Sequence, residues 1–313
     1  MKELKIGTRG SPLALKQAEM VKAALAALRP ELAIKIEIIK TSGDWKPEHG
    51  ETRLSEAQGG KGLFAKEIEQ RLIAGEIDVA VHSMKDMDSV LPANLVIPWM
   101  LPREDARDAV ICGYLAKNSQ NINDLPKGCV IGTSSVRRGA FLLNKRPDLE
   151  VVPLRGNVQT RLDKLKAGQV DVTLLAMAGL NRLGLTHEIS FAVEMGDMLP
   201  AAAQGAVGIE VRADRQVELS FIGQISDVNT VACVGAEREV LRLLDGSCHT
   251  PIGAHASLED GLMCLRAAVC SLDGAQCYEE SAQEPVFTLE EAKICGRNLG
   301  VRLKQKLPSG FLL

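Results

Sequence analysis

The chain contains the same short sequence pattern twice, and this internal repeat constrains its fold more than any other feature. The first copy, AGEIDV, occupies residues 74–79, and the second, AGQVDV, occupies 167–172. The tripeptide IGT likewise occurs at 6–8 and at 131–133, each time followed by serine, arginine and a helical segment. Two matched pairs in the same order favour two domains of one design, although glycine between a helix and a strand is also common in unrelated proteins.

Helix-like and strand-like segments alternate along the first part of the chain. Apolar or alternating residues predict strands at 4–8, 34–40 and 77–81, and periodic segments predict helices at 12–28 and 64–74. Ser11 is the expected N-cap of the first helix, because Pro12 suits the first helical position. This order predicts α/β domains with largely parallel strands.

The pattern changes after about residue 222 and predicts a smaller α+β domain. Helices are expected at 230–244 and 289–305, with short strands at 254–258, 263–271 and 276–279 between them. Asp-Gly pairs at 260–261 and 273–274 suit the tight turns of hairpins.

Composition limits the classes of protein that this chain could form. Its 313 residues suggest two or three domains, and its net charge of −3 makes nucleic acid a poor partner. The first residues form no apolar run of signal-peptide length and no stretch approaches a membrane span, so we expect a cytoplasmic protein. The eight cysteines are scattered without a CxxC pair, so we expect reduced thiols and no metal site.

The two repeated strands end differently, and the difference indicates where a site lies. The first leads into residues 82–86 (HSMKD), whereas the second leads into the apolar residues 175–179 (LAMAG). Ligands of open α/β sheets bind beyond the carboxyl ends of strands, so the polar cluster predicts a site in the first copy only. A solvated Lys-Asp pair at the start of a surface helix explains the same residues equally well.

Arginines occur at turns where they oppose a helix dipole. Arg137 and Arg138 follow a strand-to-helix turn at 132–135 and lie in the first helical turn, where a cation costs about 0.3–1 kcal/mol. A bound anion would reverse that cost, and Arg9 and Arg155 stand at similar turns. Several such guanidinium groups suit a ligand with several carboxylates or phosphates, whereas any single one could be an ordinary surface arginine.

Two loops have compositions that suit function as well as plain connection. Residues 58–64 (QGGKGLF) are glycine-rich but lack Walker A spacing, so they predict a loose phosphate cradle, a loop that covers a cleft, or a simple connection. Cys248 lies in a loop after a helix, beside Gly246 and His249, a setting that favours a reactive thiol over a buried one.

Taken together, these segments resemble the porphobilinogen deaminases over almost the whole chain. Each stretch alone is modest evidence, but their number and order are highly specific. The matching stretches are 7–14 (GTRGSPLA), 59–64 (GGKGLF), 81–86 (VHSMKD), 101–105 (LPRED), 132–138 (GTSSVRR), 154–158 (LRGNV), 204–208 (QGAVG) and 245–248 (DGSC).

The resemblance implies three domains and a transferase. The first two domains, at 1–99 with a return at 200–217 and at 100–199, would be α/β domains similar to type II periplasmic binding proteins. The third, at 222–313, would be α+β and would carry Cys248, joined by a thioether to a dipyrromethane cofactor. Enzymes of this family add four porphobilinogen molecules head to tail, release ammonia at each addition and free hydroxymethylbilane by hydrolysis. The family also suggests a monomer that acts in tetrapyrrole and haem biosynthesis.

The resemblance also assigns residues to the site. Asp86 matches the family's catalytic aspartate, which would protonate the leaving amine and steady a cationic azafulvene. Each pyrrole carries an acetate and a propionate, which accounts for the arginines and hydroxyl groups. The residues implied for the cofactor are Cys248, Ser83, Lys85, Asp86, Thr133, Ser134, Ser135, Arg137, Arg138, Arg155 and Gly156. The residues implied for the substrate are Arg9, Ser11, Phe64, Arg155, Arg161 and Gln204.

One departure from the family pattern and two alternative functions stay open. Residues 87–89 (MDS) stand where the family commonly has a proline soon after the aspartate, which puts the local loop shape in question. No family role carries over to His249. A non-catalytic solute-binding protein would also suit two repeated domains with arginines, and a cysteine hydrolase would need His82 beside Cys248.

Overall fold

The computed structural model of the chain describes residues 1–41, 65–246 and 250–311. Two predicted site residues, Phe64 and Cys248, therefore lie outside the described residues. The glycine-rich run at 58–64 and His249 lie outside them as well.

Strands and helices alternate through the described part of the chain. The strands are β1 (Glu3–Arg9), β2 (Ala33–Ile39), β3 (Val79–Ser83), β4 (Leu95–Met100), β5 (Asp108–Cys112), β6 (Val130–Gly132), β7 (Glu150–Val152), β8 (Val172–Ala176), β9 (Phe191–Ala192), β10 (Val207–Arg212), β11 (Ile252–Glu259), β12 (Leu262–Cys270) and β13 (Cys277–Pro285). The helices are α1 (Pro12–Leu28), α2 (Lys66–Ile73), α3 (Val136–Lys145), α4 (Val158–Lys166), α5 (Met177–Leu183), α6 (Val228–Leu243) and α7 (Leu289–Lys306). None of the helices in these ranges is long and apolar enough to cross a membrane.

Two five-stranded sheets share one arrangement of strands. The first has the order β2-β1-β3-β10-β4, and the second has the order β7-β6-β8-β5-β9. In each sheet four strands run in one direction, and the remaining strand, β10 or β5, is antiparallel to both of its neighbours. The prediction of two α/β domains of similar design is confirmed, and the predicted parallel direction fails only at this one strand of each sheet.

The repeated aspartate makes the same contact in both sheets. Asp78 accepts the backbone N–H of Lys5 at 2.8 Å, and Asp171 accepts that of Val130 at 2.8 Å. The glycine three residues before each aspartate has a left-handed φ, 73° in one copy and 72° in the other, which ends the preceding helix without Cβ strain. The repeat therefore specifies a helix-to-strand corner that is tied to the neighbouring strand.

Contacts divide the described residues into two compact units. The first contains residues 1–41, 65–104 and 205–231, with the first sheet and an apolar core between that sheet and α1. The second contains residues 105–204, 232–246 and 250–311, with the second sheet and the C-terminal elements. The domain boundaries proposed at 99, 199 and 217 stay predictions.

The C-terminal elements have a core of their own within the second unit. Strands β11, β12 and β13 form an antiparallel sheet in that order, and buried residues of α6 and α7 pack against it. Helix α7 begins with a capping box, in which Thr288 and Glu291 each bond the other's backbone N–H. This is the smaller α+β part that the sequence predicted.

The sequence predicted that all cysteines are reduced, but two of them form a disulfide. Cys270 and Cys277 are joined by a disulfide, because the register of β12 and β13 places them directly opposite each other. Cys129, Cys233 and Cys295 are buried free thiols. The expectation of reduced thiols is therefore wrong for this one hairpin.

Candidate active site

The polar end of β3 borders a small cavity in the first unit. The cavity has a volume of about 100 Å³, and the predicted site residues Arg9, Ser11, Ser83 and Asp86 all line it. Asp86 ends a short 3₁₀ helix, Met84–Asp86, that follows β3 directly, and its side chain is exposed. The structure thus brings four predicted residues around one space.

Residues beside Asp86 have different surroundings. Lys85 lies in the same 3₁₀ helix but is not among the residues that line the cavity. Met87, the first of the three residues that stand where the family commonly has a proline, is buried and does line it. Met87 therefore forms an apolar part of the cavity wall next to the exposed carboxylate.

Helix α1 positions two polar side chains at this cavity. Ser11 is its N-cap, and its Oγ accepts the N–H of Ala14 at 3.3 Å, as the sequence predicted. Gln17 is 2% exposed, and its side-chain amide and the Ser83 hydroxyl are joined by hydrogen bonds of 2.8 and 3.0 Å. Gln17 was not predicted from the sequence, although a glutamine among the buried positions of a helix is a signal for a polar partner.

His82 is paired with a buried carboxylate. Its Nε2 lies 2.9 Å from Oε2 of Glu210 in β10, and the two side chains are 5% and 0% exposed. This pairing uses one ring nitrogen of the histidine that a cysteine hydrolase would need as its base.

A second carboxyl lies near this pair. Burial raises the pKa of Glu69, in α2, to about 7. The Glu210 carboxylate contributes to this rise, whereas His82 opposes it. Glu69 therefore titrates in the neutral range, well above its ordinary value of 4.5.

We expect Glu69→Gln to stabilise the protein above neutral pH and to change little below about pH 5. The carboxyl binds its proton more tightly in the folded state, so folding stability is lost as pH rises through the raised pKa, and glutamine removes that loss. Because Glu69 is only partly buried, the expected gain in Tm at pH 8 is about 1–3 °C. Thermal melts at both pH values measure it, with the exposed Glu76→Gln as control. An equal shift at the two pH values would contradict the prediction.

In the second unit, the turn from β6 to α3 fixes three predicted hydroxyl groups. Thr133 Oγ1 accepts the N–H of Ser135 at 3.2 Å, and Ser134 Oγ accepts that of Leu154 at 3.1 Å. Ser135 is the N-cap of α3, and its Oγ accepts the N–H of Arg138 at 3.4 Å. Each hydroxyl satisfies a backbone donor at this end of β6.

Arg137 and Arg138 are buried against Asp108, the first residue of β5. Nη2 of Arg137 donates to Asp108 at 2.7 Å, and Nη2 and Nε of Arg138 donate to it at 2.7 and 3.0 Å. Nη1 of each arginine donates to a carbonyl, that of Leu199 at 2.8 Å and that of Leu174 at 2.9 Å. An anion was predicted to offset these arginines, and the protein itself supplies one in the Asp108 carboxylate.

Gln204 joins the same carboxylate. Its Nε2 donates to Asp108 at 3.0 Å and to the carbonyl of Ala106 at 2.7 Å. Burial by itself would raise the pKa of Asp108, but Arg137, Arg138 and the Gln204 hydrogen bond lower it far below its usual value. Three residues predicted for cofactor and substrate binding thus meet at a carboxylate that the sequence analysis missed.

The turn from β7 to α4 holds the other predicted residues of this unit. Arg155 is 7% exposed, and its carbonyl accepts Nζ of Lys164 at 2.9 Å. Gly156 has a φ of 118°, and a Cβ there would lie 2.6 Å from Cγ2 of Thr160. Nε of Arg161 donates to the carbonyl of Gly156 at 2.9 Å. Because β6 and β7 are parallel neighbours, this turn and the β6–α3 turn lie at the same edge of the sheet.

Comparisons with protein families and with individual proteins give one and the same family. Residues 4–219 match the family described as "Porphobilinogen deaminase, dipyromethane cofactor binding domain", and residues 231–305 match "Porphobilinogen deaminase, C-terminal domain". The chain is 45% identical to the chloroplastic porphobilinogen deaminase of Oryza sativa subsp. japonica, over 98% of this chain and 85% of that protein. It is 46% identical to the porphobilinogen deaminase of Paracoccus denitrificans, over 98% and 96% of the two chains. Among solved structures it is similar to the periplasmic aliphatic sulphonate binding protein SsuA from Escherichia coli, with a TM-score of 0.42 and 15% identity over 77% of this chain and 70% of that one.

Proposed function

The chain belongs to the porphobilinogen deaminase family, and from that premise we propose that Asp86 is its catalytic acid and that Cys248 carries its cofactor. The family resemblance predicted from the motifs is confirmed, and so are the enzyme class and the dipyrromethane cofactor. The activity is that of a hydroxymethylbilane synthase, a transferase that joins four porphobilinogen molecules head to tail. Family membership carries this activity, and the roles of individual residues are proposals.

The arginine cluster of the second unit fits a cofactor that carries several carboxylates. Nε of Arg137 is buried and has no hydrogen-bond partner among the described residues. Two guanidinium groups share the single carboxylate of Asp108, so the cluster keeps one net positive charge. A pyrrole acetate or propionate supplies both the missing acceptor and the missing negative charge. When bound, the dipyrromethane supplies the pyrrole carbon to which the first substrate unit is joined.

We propose that Asp86 handles the protons of each addition. The C–N bond of the substrate's aminomethyl group breaks, a C–C bond forms to a pyrrole carbon, and one proton leaves that carbon. Protonated Asp86 gives its proton to the departing amine, and the resulting carboxylate offsets the positive charge left on the substrate. The proton from the pyrrole carbon then restores the acid, so ammonia leaves and the charges balance.

The other residues of the cavity suit the substrate's side chains. Arg9 and Ser11 line the same cavity as Asp86, and both can donate hydrogen bonds to a carboxylate. We therefore propose that they hold the acetate or propionate of the incoming porphobilinogen while Asp86 faces the reacting carbon.

Monomeric state and cytoplasmic location stay predictions from the sequence.

The mass of the intact chain tests this function. We expect the purified protein, unfolded before measurement, to exceed its sequence mass by two linked pyrrole units. Protein made in a host that cannot synthesise porphobilinogen serves as control, because it should have the bare sequence mass and gain the excess when given porphobilinogen. A bare mass in both preparations, before and after that addition, would favour the solute-binding or hydrolase alternative.

A further inference from the structure

Asp108 lies at the centre of a buried cluster of polar side chains in the second unit. Its side chain is 1% exposed, yet it accepts hydrogen bonds from Arg137, Arg138 and Gln204 at 2.7–3.0 Å. Both arginine side chains are nearly as buried, at 5% and 7% exposure. Buried charges of this kind are stable only when each has a partner.

The two arginines differ in how many of their guanidinium nitrogens donate hydrogen bonds. All three guanidinium nitrogens of Arg138 donate to protein oxygens, two bonds going to Asp108 and one to the carbonyl of Leu174. Arg137 donates from Nη1 and Nη2 only, and its Nε is buried without a partner in the described residues. Among the described residues, Arg137 is therefore the arginine of this pair with a guanidinium nitrogen that donates no hydrogen bond.

The charge of the cluster is also incomplete. Two cations and one anion leave an excess of one positive charge in a buried place. Burial lowers the pKa of Arg137, and the charge of Arg138 lowers it further, while Asp108 opposes both. One additional carboxylate would balance the charge, whereas the loss of Asp108 would leave two cations uncompensated.

We propose that Asp108 is a positioning residue for the cofactor: it holds Arg137 with Nε unpaired and limits the cluster to one excess positive charge, which one cofactor carboxylate neutralises. Arg138 then acts on the cofactor through Asp108, because each of its three guanidinium nitrogens already donates to a protein oxygen. This inference rests on the proposed function, since it assumes that the arginine cluster receives the dipyrromethane.

Two substitutions separate positioning from simple stabilisation. Asp108→Asn keeps the shape but removes the charge, and we expect it to lower Tm by about 5–10 °C and to slow adduct formation at least tenfold. Asp108→Glu keeps the charge but displaces the carboxylate, so we expect it to regain most of the Tm while adduct formation stays several-fold slow. The control is Asp148→Asn, which breaks another aspartate–arginine pair of the same unit, with Arg146 at 2.7 Å. It should form the adduct at the normal rate.

The measurement follows adduct formation by intact mass after adduct-free protein is mixed with porphobilinogen, well below the Tm of each variant. A normal rate in folded Asp108→Asn, or in Asp108→Glu with its Tm restored, would overturn the inference. If Asp108→Asn does not fold, Asp108→Glu decides the question alone by the same criterion. Failure of the unsubstituted protein to gain the adduct would overturn the proposed function instead, so the two failures are distinguishable.

Discussion

Replacement of Cys248 by alanine is expected to give a protein that folds, carries no adduct and loses nearly all turnover. Alanine has no sulfur with which to form the thioether, so the primer has no covalent attachment. Cys248→Ser is not expected to rescue the enzyme, because a hydroxyl oxygen is a much weaker nucleophile than a thiolate. Intact mass and the rate of hydroxymethylbilane formation measure both effects.

The other cysteines supply the controls for this experiment. Cys264 is an exposed free thiol and Cys112 is a partly buried one, so Cys264→Ala and Cys112→Ala test whether the attachment is selective. Cys277 is already bonded to Cys270, and its replacement should also leave the adduct in place. An adduct that survives in Cys248→Ala, or that maps by peptide mass to another cysteine, would show that the attachment site is wrong.

Features of the fold that depend on neighbouring residues could be predicted from the sequence. The repeated AG–D pattern predicted two domains of one design, because glycine ends the helix and the aspartate three residues later bonds the adjacent strand in both copies. Ser11 with Pro12 predicted the start of α1 correctly. The turns at 132–135 and 155–157 were likewise placed between a strand and a helix, as the structure has them.

Contacts between distant parts of the chain could not be predicted in the same way. Asp108 is separated from Arg137 and Arg138 by 29 and 30 residues, and Glu210 is separated from His82 by 128. Each pair meets only because an antiparallel strand is inserted into an otherwise parallel sheet, and nothing local marks that insertion. The arginines at a helix start did indicate a missing anion, but a single sequence could not tell a ligand from a protein carboxylate.

The disulfide shows a different limit. Strands were predicted at 263–271 and 276–279, which already places Cys270 close to Cys277 across a hairpin. The expectation of reduced thiols rested on the scattered cysteines and the missing signal peptide, and it left this geometry out. The register of β12 and β13, which pairs the two cysteines directly, decides the matter.

Asp86→Asn is expected to keep the fold and to lower the rate of porphobilinogen addition about 10²–10⁴-fold. Asparagine has nearly the same shape, but it can neither give a proton to the leaving amine nor carry the negative charge that offsets the cationic substrate. Because Asp86 is exposed at the end of its 3₁₀ helix, the substitution should cost little stability. Asp86→Glu keeps the charge but displaces it, so it should retain more activity than Asp86→Asn.

The decisive measurement is a single-turnover addition of porphobilinogen, followed by intact mass, with only the molecules that already carry the adduct counted. This removes any effect of the substitution on cofactor assembly and leaves the chemical step. Asp88→Asn is the matched control, because it removes a carboxylate two residues away that does not line the described cavity. If Asp86 were only half of a surface Lys-Asp pair, its loss would cost about 0–1 kcal/mol of stability and leave addition unchanged. Near-normal addition by loaded Asp86→Asn would therefore place the catalytic acid elsewhere, whereas a large loss there with a normal rate in Asp88→Asn assigns the proton transfer to the carboxylate at the end of β3.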